Sequence, residues 1–164
     1  MFKRIVCATD FSDTAEAAWD LASDLAQTHR AELVLVHVFI ELPVYPEVAV
    51  ASIQQVWEEQ REWAERQLAA RIEAAVKRGL TARYLLKTGT APEEIMQAAT
   101  DEHADLIVVG THGRTGIERL VIGSVAERVV RLAPCPVLTV HADRSIFKQP
   151  QRAYLPEMPT QVPA

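Results

Sequence analysis

The run Gly110-Thr111-His112-Gly113-Arg114-Thr115-Gly116, followed by Gly123-Ser124, carries the residue types that hold phosphate. Glycine accepts positive φ and lets the backbone come close to a ligand, which is the role expected of Gly110, Gly113 and Gly123. A helix starting at Ser124 presents free N–H groups and the positive end of its dipole to an anion. Ser124 adds a hydroxyl and Arg114 a charge-assisted donor, with Thr111, His112 and Thr115 as further polar contacts. The set lacks the Gly-Lys-Ser/Thr of a Walker A loop. Its glycines do not follow the first strand, as the dinucleotide fingerprint requires. Two glycines after a strand equally suit a plain turn, so the run by itself leaves both readings open.

A second polar loop, Ala8-Thr9-Asp10-Phe11-Ser12, follows the first apolar run. In an open parallel sheet, ligands bind beyond the carboxyl ends of the strands, where the strand order reverses. If the strands before these two loops are neighbours there, both loops meet in one cleft. Asp10 orients a nucleotide or a metal-bound water in one reading and caps the following helix in the other. Its place at a strand end favours the first. His37, within an apolar strand, reads as a hydrogen-bonded core residue. His112 lies near any bound phosphate without being placed as a base. His29, His103 and His141 have no metal-ligand spacing and read as solvated or capping residues.

These loops need rigid elements to position them. Ile5 to Thr9 reads as strand 1 and Leu33 to Phe39 as strand 2, the latter continuously apolar as in a strand covered on both faces. Ala82 to Thr88 reads as strand 3, partly alternating and so nearer an edge. Leu106 to Gly110 is strand 4 and Val137 to Val140 strand 5. Between them, Ala15, Ala18, Trp19, Ala22, Leu25 and Ala26 recur at helical spacing, after Ser12 or Asp13 as N-cap. Pro43 and Pro46 keep 41–50 irregular. A long helix from Ile53 to Lys77, ended by Gly79, carries Leu68, Ile72, Ala75 and Val76 inward, with Trp57 and Trp63 on its first half. Glu58 to Arg66 is a solvated, mixed-charge face. Thr90-Ala91-Pro92-Glu93 starts a third helix, with Ile95, Met96 and Ala99 inward. Ser124 to Leu132 is the fourth. Alternating strands and helices predict an α/β domain with a parallel sheet and helices on both faces.

A chain of 164 residues fits one such domain, over residues 1–142. Residues 143–164 hold Pro150, Pro156, Pro159 and Pro163 without apolar periodicity, and read as an extended tail. The formal net charge of −5 argues against a nucleic-acid surface. No run is long and apolar enough to span a bilayer, and the N-terminus lacks secretory character, so a cytoplasmic location is expected. Cys7 and Cys135 read as reduced structural thiols.

The full spacing, Gly110-x2-Gly113-x9-Gly123-Ser124, resembles the ATP-binding signature of the universal stress protein family. The resemblance extends to Ala8-Thr9-Asp10-Phe11-Ser12, Val36-His37-Val38 and Pro134-Cys135-Pro136-Val137-Leu138, and so covers roughly residues 1–141. It implies an open five-stranded sheet in the order 3-2-1-4-5, of the Rossmann-like, adenine nucleotide alpha-hydrolase type. It places the adenine among Ala8, Thr9, Asp10 and Val38, beside Val109 and Gly110. It places the phosphates along Gly113, Arg114, Gly123, Ser124 and Val125, with Mg²⁺ or Mn²⁺ held mainly by phosphate and water. It also implies a homodimer through Val137 to Val140.

Catalysis is the weakest part of this pattern. Phosphoryl transfer to water needs a positioned nucleophile, and only Asp10 offers a carboxylate for the task. The expectation is a nucleotide-dependent stress or signalling module with slow or no hydrolysis. The alternatives are a slow ATPase or adenylate-transferring enzyme on the same fold, or an adaptor acting through its tail.

Overall fold

The computed structural model describes residues 1–39, 50–111 and 123–141, with side chains in the long helix from residue 55 onward. The segment with Pro43 and Pro46, the stretch 112–122 and the tail 143–164 fall outside the described residues. The elements alternate in chain order as β1 (Arg4–Ala8), α1 (Asp13–His29), β2 (Glu32–Phe39), α2 (Val50–Lys77), β3 (Ala82–Thr88), α3 (Ala91–Asp101), β4 (Leu106–Gly110), α4 (Ser124–Leu132) and β5 (Val137–Val140). The strands form a five-stranded sheet in the order β3-β2-β1-β4-β5. Every pairing is parallel, with Cys7 opposite Leu35 on one side and Val108 on the other.

Side-chain alternation divides the core. Ile5, Cys7, Leu33, Leu35, Leu106 and Val108 pack against Ala18, Trp19, Ala22 and Ala26 of α1 and Leu68 and Ala75 of α2. Val6, Ala8, Val34, Val36, Ile107 and Val109 pack against Ile95, Ala98 and Ala99 of α3 and Ala126 and Val129 of α4. Both faces of β1, β2 and β4 are therefore covered, which is why these strands are apolar without a break. The alanines of α1 let its axis lie close to the sheet. β3 stands at the edge, and its side chains are only half-buried or exposed.

Local chemistry settles the helix ends. Ser12, rather than Asp13, caps α1: its Oγ accepts a bond from Ala15 N at 3.3 Å. Gly79, at φ 86°, ends α2 after Lys77. Thr90 occupies the N-cap of α3 with an extended backbone but makes no side-chain cap bond, leaving proline in the first turn as the start signal. Two inward assignments shift. Val76 is 53% exposed, because it lies one step past the Leu68–Ile72–Ala75 stripe. On α3 the fully buried place beside Ile95 belongs to Ala98, with Met96 half-buried.

Candidate nucleotide cleft

The strand order reverses between β1 and β4, and a cleft of about 450 Å³ opens there at the carboxyl end of the sheet. That volume suits a small organic ligand. Its walls include Ala8, Thr9 and Asp10 from the loop after β1, Val38 from the end of β2, Val109 and Gly110 from β4, and Gly123, Ser124 and Val125 from the start of α4. The structure thus brings two loops distant in sequence to one place. His112, Gly113 and Arg114 fall outside the described residues.

Sequence reasoning passed over part of the wall. Ala91 and Ile95 of α3 line the cleft, as do Val36, His37 and Phe39 of β2, while Thr111 after β4 stands on the wall as a polar contact, as its place in the glycine run suggested. Ala91 and Ile95 are one helical turn apart on a helix that begins beyond the carboxyl end of β3, and that placement was a usable signal. Together with Val36, Val38 and Ala8 they give the β2–α3 side of the cleft an apolar character. The β4–α4 side carries Thr111, Gly123 and Ser124.

The glycines act differently from expectation. Neither Gly110 nor Gly123 has positive φ. Gly110 is required by crowding instead: a Cβ there would lie 3.0 Å from the backbone C and O of Thr14 in the first turn of α1. Gly123 is the N-cap of α4 with φ −58° and ψ 148°, and among the described residues no side-chain cap bond closes that helix. Its own N–H donates to the Thr111 carbonyl at 2.6 Å. The next N–H groups of the first turn have no acceptor within the helix and point beyond its end. Thr111, 1% exposed, also donates its N–H to Val140 O at 2.8 Å, and its Oγ1 sits 2.9 Å from His141 Nδ1.

The loop after β1 is tied by its own side chains. Phe11 N donates to Thr9 Oγ1 at 3.0 Å. Asp10 Oδ1 accepts from Ser12 N at 3.1 Å and from Ser12 Oγ at 2.6 Å. Asp10 therefore supports the residue that caps α1 while also standing on the cleft wall. His37 Nδ1 lies 2.8 Å from the Thr9 carbonyl; since a carbonyl only accepts, Nδ1 carries the proton.

Strand alternation supplies one more polar edge. Glu32 donates to Lys3 O and Val36 accepts from Thr9 N, so even-numbered residues of β2 face β1. Leu33 donates to Thr81 O and Phe39 accepts from Gly89 N, so odd-numbered ones face β3. Val38 is the next even residue, and β1 has ended at Ala8. The Val38 N–H and C=O accordingly face the cleft rather than a strand. Neither cysteine takes part. Burial, with Glu16 nearby, pushes the Cys7 thiol far up, and burial raises that of Cys135 as well, so neither is poised as a thiolate.

The universal stress protein family model matches residues 1–141. The chain belongs to the universal stress protein family. This universal stress domain is 40% identical over 141 residues to a universal stress protein of Thermus aquaticus, across 85% of this chain and 99% of the relative. It matches the solved structure of MJ0577, a universal stress protein of Methanocaldococcus jannaschii, with TM-score 0.77 and 30% identity over 88% of this chain and 99% of the other. A universal stress protein solved in complex with cAMP matches with TM-score 0.64 and 25% identity, over 87% of this chain and 99% of the other. No helix among the described residues is long and apolar enough to cross a membrane.

Proposed function

We propose that the protein is a cytoplasmic stress or signalling module that binds ATP with Mg²⁺ or Mn²⁺ and hydrolyses it slowly or not at all. One observation carries the reading: the switch-point cleft has an apolar half edged by the Val38 N–H and C=O, and a polar half at the α4 N-terminus. A donor beside an acceptor on one peptide edge complements adenine, whose ring nitrogen accepts where its amino group donates. Guanine reverses that pattern. The first turn of α4, with no side-chain cap among the described residues, suits the phosphates. The relative bound to cAMP supports an adenine ligand on this fold.

Among the described residues no group of three or more His, Cys, Asp and Glu is placed to hold a metal ion. A divalent ion would accordingly be held by phosphate oxygens and water, within reach of Asp10. Asp10 Oδ1 already accepts two bonds from Ser12, so that oxygen is engaged in holding the loop rather than a water, which supports slow turnover. The same reading includes a homodimer through Val137–Val140: β5 is an edge strand, and Val130 and Leu132 stand exposed on the neighbouring α4.

Acid extraction of the purified protein followed by anion exchange should release an adenine nucleotide. Titration with MgATP should raise Tm, with GTP far less effective. No retained nucleotide and no rise with MgATP would overturn the proposal.

A further inference from the structure

We infer that Phe11, which does not line the cleft, is the positioning residue that holds Thr9 and Asp10 at its wall; the inference deepens the nucleotide-binding reading and rests on it. Phe11 stands at φ 64°, a left-handed conformation that side chains other than glycine's rarely adopt. Such a conformation persists only where surrounding contacts outweigh its cost. Here they come from two directions. The ring centroid lies 4.6 Å from His37 of β2 and 5.0 Å from Trp63 of α2, the latter edge-on. The Arg71 guanidinium sits 5.1 Å above the ring and is itself paired with Glu16 of α1.

These contacts fix a residue flanked on both sides by the cleft loop. The left-handed turn at Phe11 lets its N–H reach back to Thr9 Oγ1 and lets Ser12 bond to Asp10 Oδ1. His37 completes the bracket, since it touches the Phe11 ring and bonds to the Thr9 carbonyl. The ring is thus gripped on the α2 side of the sheet while the backbone it anchors faces the ligand side. Glycine at position 11 would accept the backbone angle with ease and lose the grip. The loop would then be free to sample other conformations, and ordering it again would weaken binding.

The test compares Phe11→Gly, Phe11→Tyr and Trp63→Ala in the full chain. Two readouts are used: calorimetric Kd for MgATP, and hydrogen exchange of the amides at positions 11 and 12 without ligand. Phe11→Gly should weaken MgATP binding by about tenfold and speed exchange at those amides relative to the amides of β1 and β2. Phe11→Tyr should keep Kd within about twofold of the parent, because it keeps the ring. Trp63 is 40% exposed, so Trp63→Ala tests the grip with little risk to folding and stands in if Phe11→Gly does not fold. It should give the same loss in smaller measure. Unchanged Kd and unchanged exchange in the glycine variant, or in Trp63→Ala where that replaces it, would overturn the inference. If the parent itself binds no MgATP, the nucleotide reading fails, and exchange alone still decides whether Phe11 holds the loop.

Discussion

The two ends of the sheet handle polar groups in opposite ways. At the amino end charges close on one another. Arg4 reaches Glu32 at 2.8 Å, Arg83 reaches the other Glu32 oxygen at 2.7 Å, and both arginines also meet Glu102. Asp105 accepts from the Lys3 and Arg4 N–H groups at 2.6 and 2.9 Å, where β1 begins. At the carboxyl end the Val38 peptide edge and the first turn of α4 face the cleft instead. One end closes its polar groups on one another within the fold, while the other leaves them open to the cleft. If that division is real, substitutions at the first end should change stability, and substitutions at the second should change binding.

The largest effect is expected where the two demands coincide. Gly110→Val should destabilise the fold by about 3 kcal/mol, because its side chain meets the Thr14 backbone, which cannot rotate away. It should also distort the cleft, since α1 must move. Urea unfolding measures the first effect and nucleotide titration the second. A fold of unchanged stability would show that α1 is not pressed against β4 as described.

Glu32→Gln tests the closed end alone. Its carboxyl is held below its ordinary value near 4.5, by the Arg83 hydrogen bond first and by Arg4 as well. A carboxyl lowered in the folded state adds stability above its ordinary value, and that stability is lost as pH falls through the folded value. The parent should therefore weaken on acidification below about 4.5, and Glu32→Gln should flatten that limb. At pH 7 the loss should be about 2 kcal/mol, with nucleotide affinity unchanged. A fall in affinity would break the proposed division between the ends.

Much of this division was legible in residue patterns. Continuous apolarity in 33–39 and the alternation of elements gave the layered sheet, and β4, α4 and β5 stand at their expected residues. The glycine run and the Thr9-Asp10 loop pointed to a cleft that exists. What the pattern missed depends on three-dimensional crowding or pairing. Gly110 was expected at positive φ, but it is fixed by the approach of Thr14, a contact no local spacing reveals. Ile95 had a signal in its spacing from Ala91, but that spacing marks a wall of the cleft only once α3 is known to lie over β2. Phe11 reads as an ordinary apolar residue until its φ and ring partners are known.

Val38→Pro sharpens the open end. Proline removes the N–H that faces the cleft, yet breaks no bond to β3, because even residues of β2 do not join that ladder. MgATP affinity should fall by about tenfold, the worth of one buried hydrogen bond, while the β2–β3 amides keep their protection from exchange. Retained affinity would mean that the base is not read at this edge.

Ser23→Ala is the smallest change and tests whether an unpartnered polar group marks function wherever it occurs. Ser23 Oγ is fully buried in α1 without a hydrogen-bond partner among the described residues. It does not line the cleft, so nothing there repays its desolvation. Alanine removes that cost and favours the helix, which should stabilise the fold by about 1 kcal/mol in urea unfolding. Nucleotide affinity should not change, because the serine lies in the packed layer between α1 and the sheet. A loss of stability would reveal that the hydroxyl has found a partner. A loss of affinity would mean that the α1 layer reaches the cleft by a route other than Thr14 and Phe11.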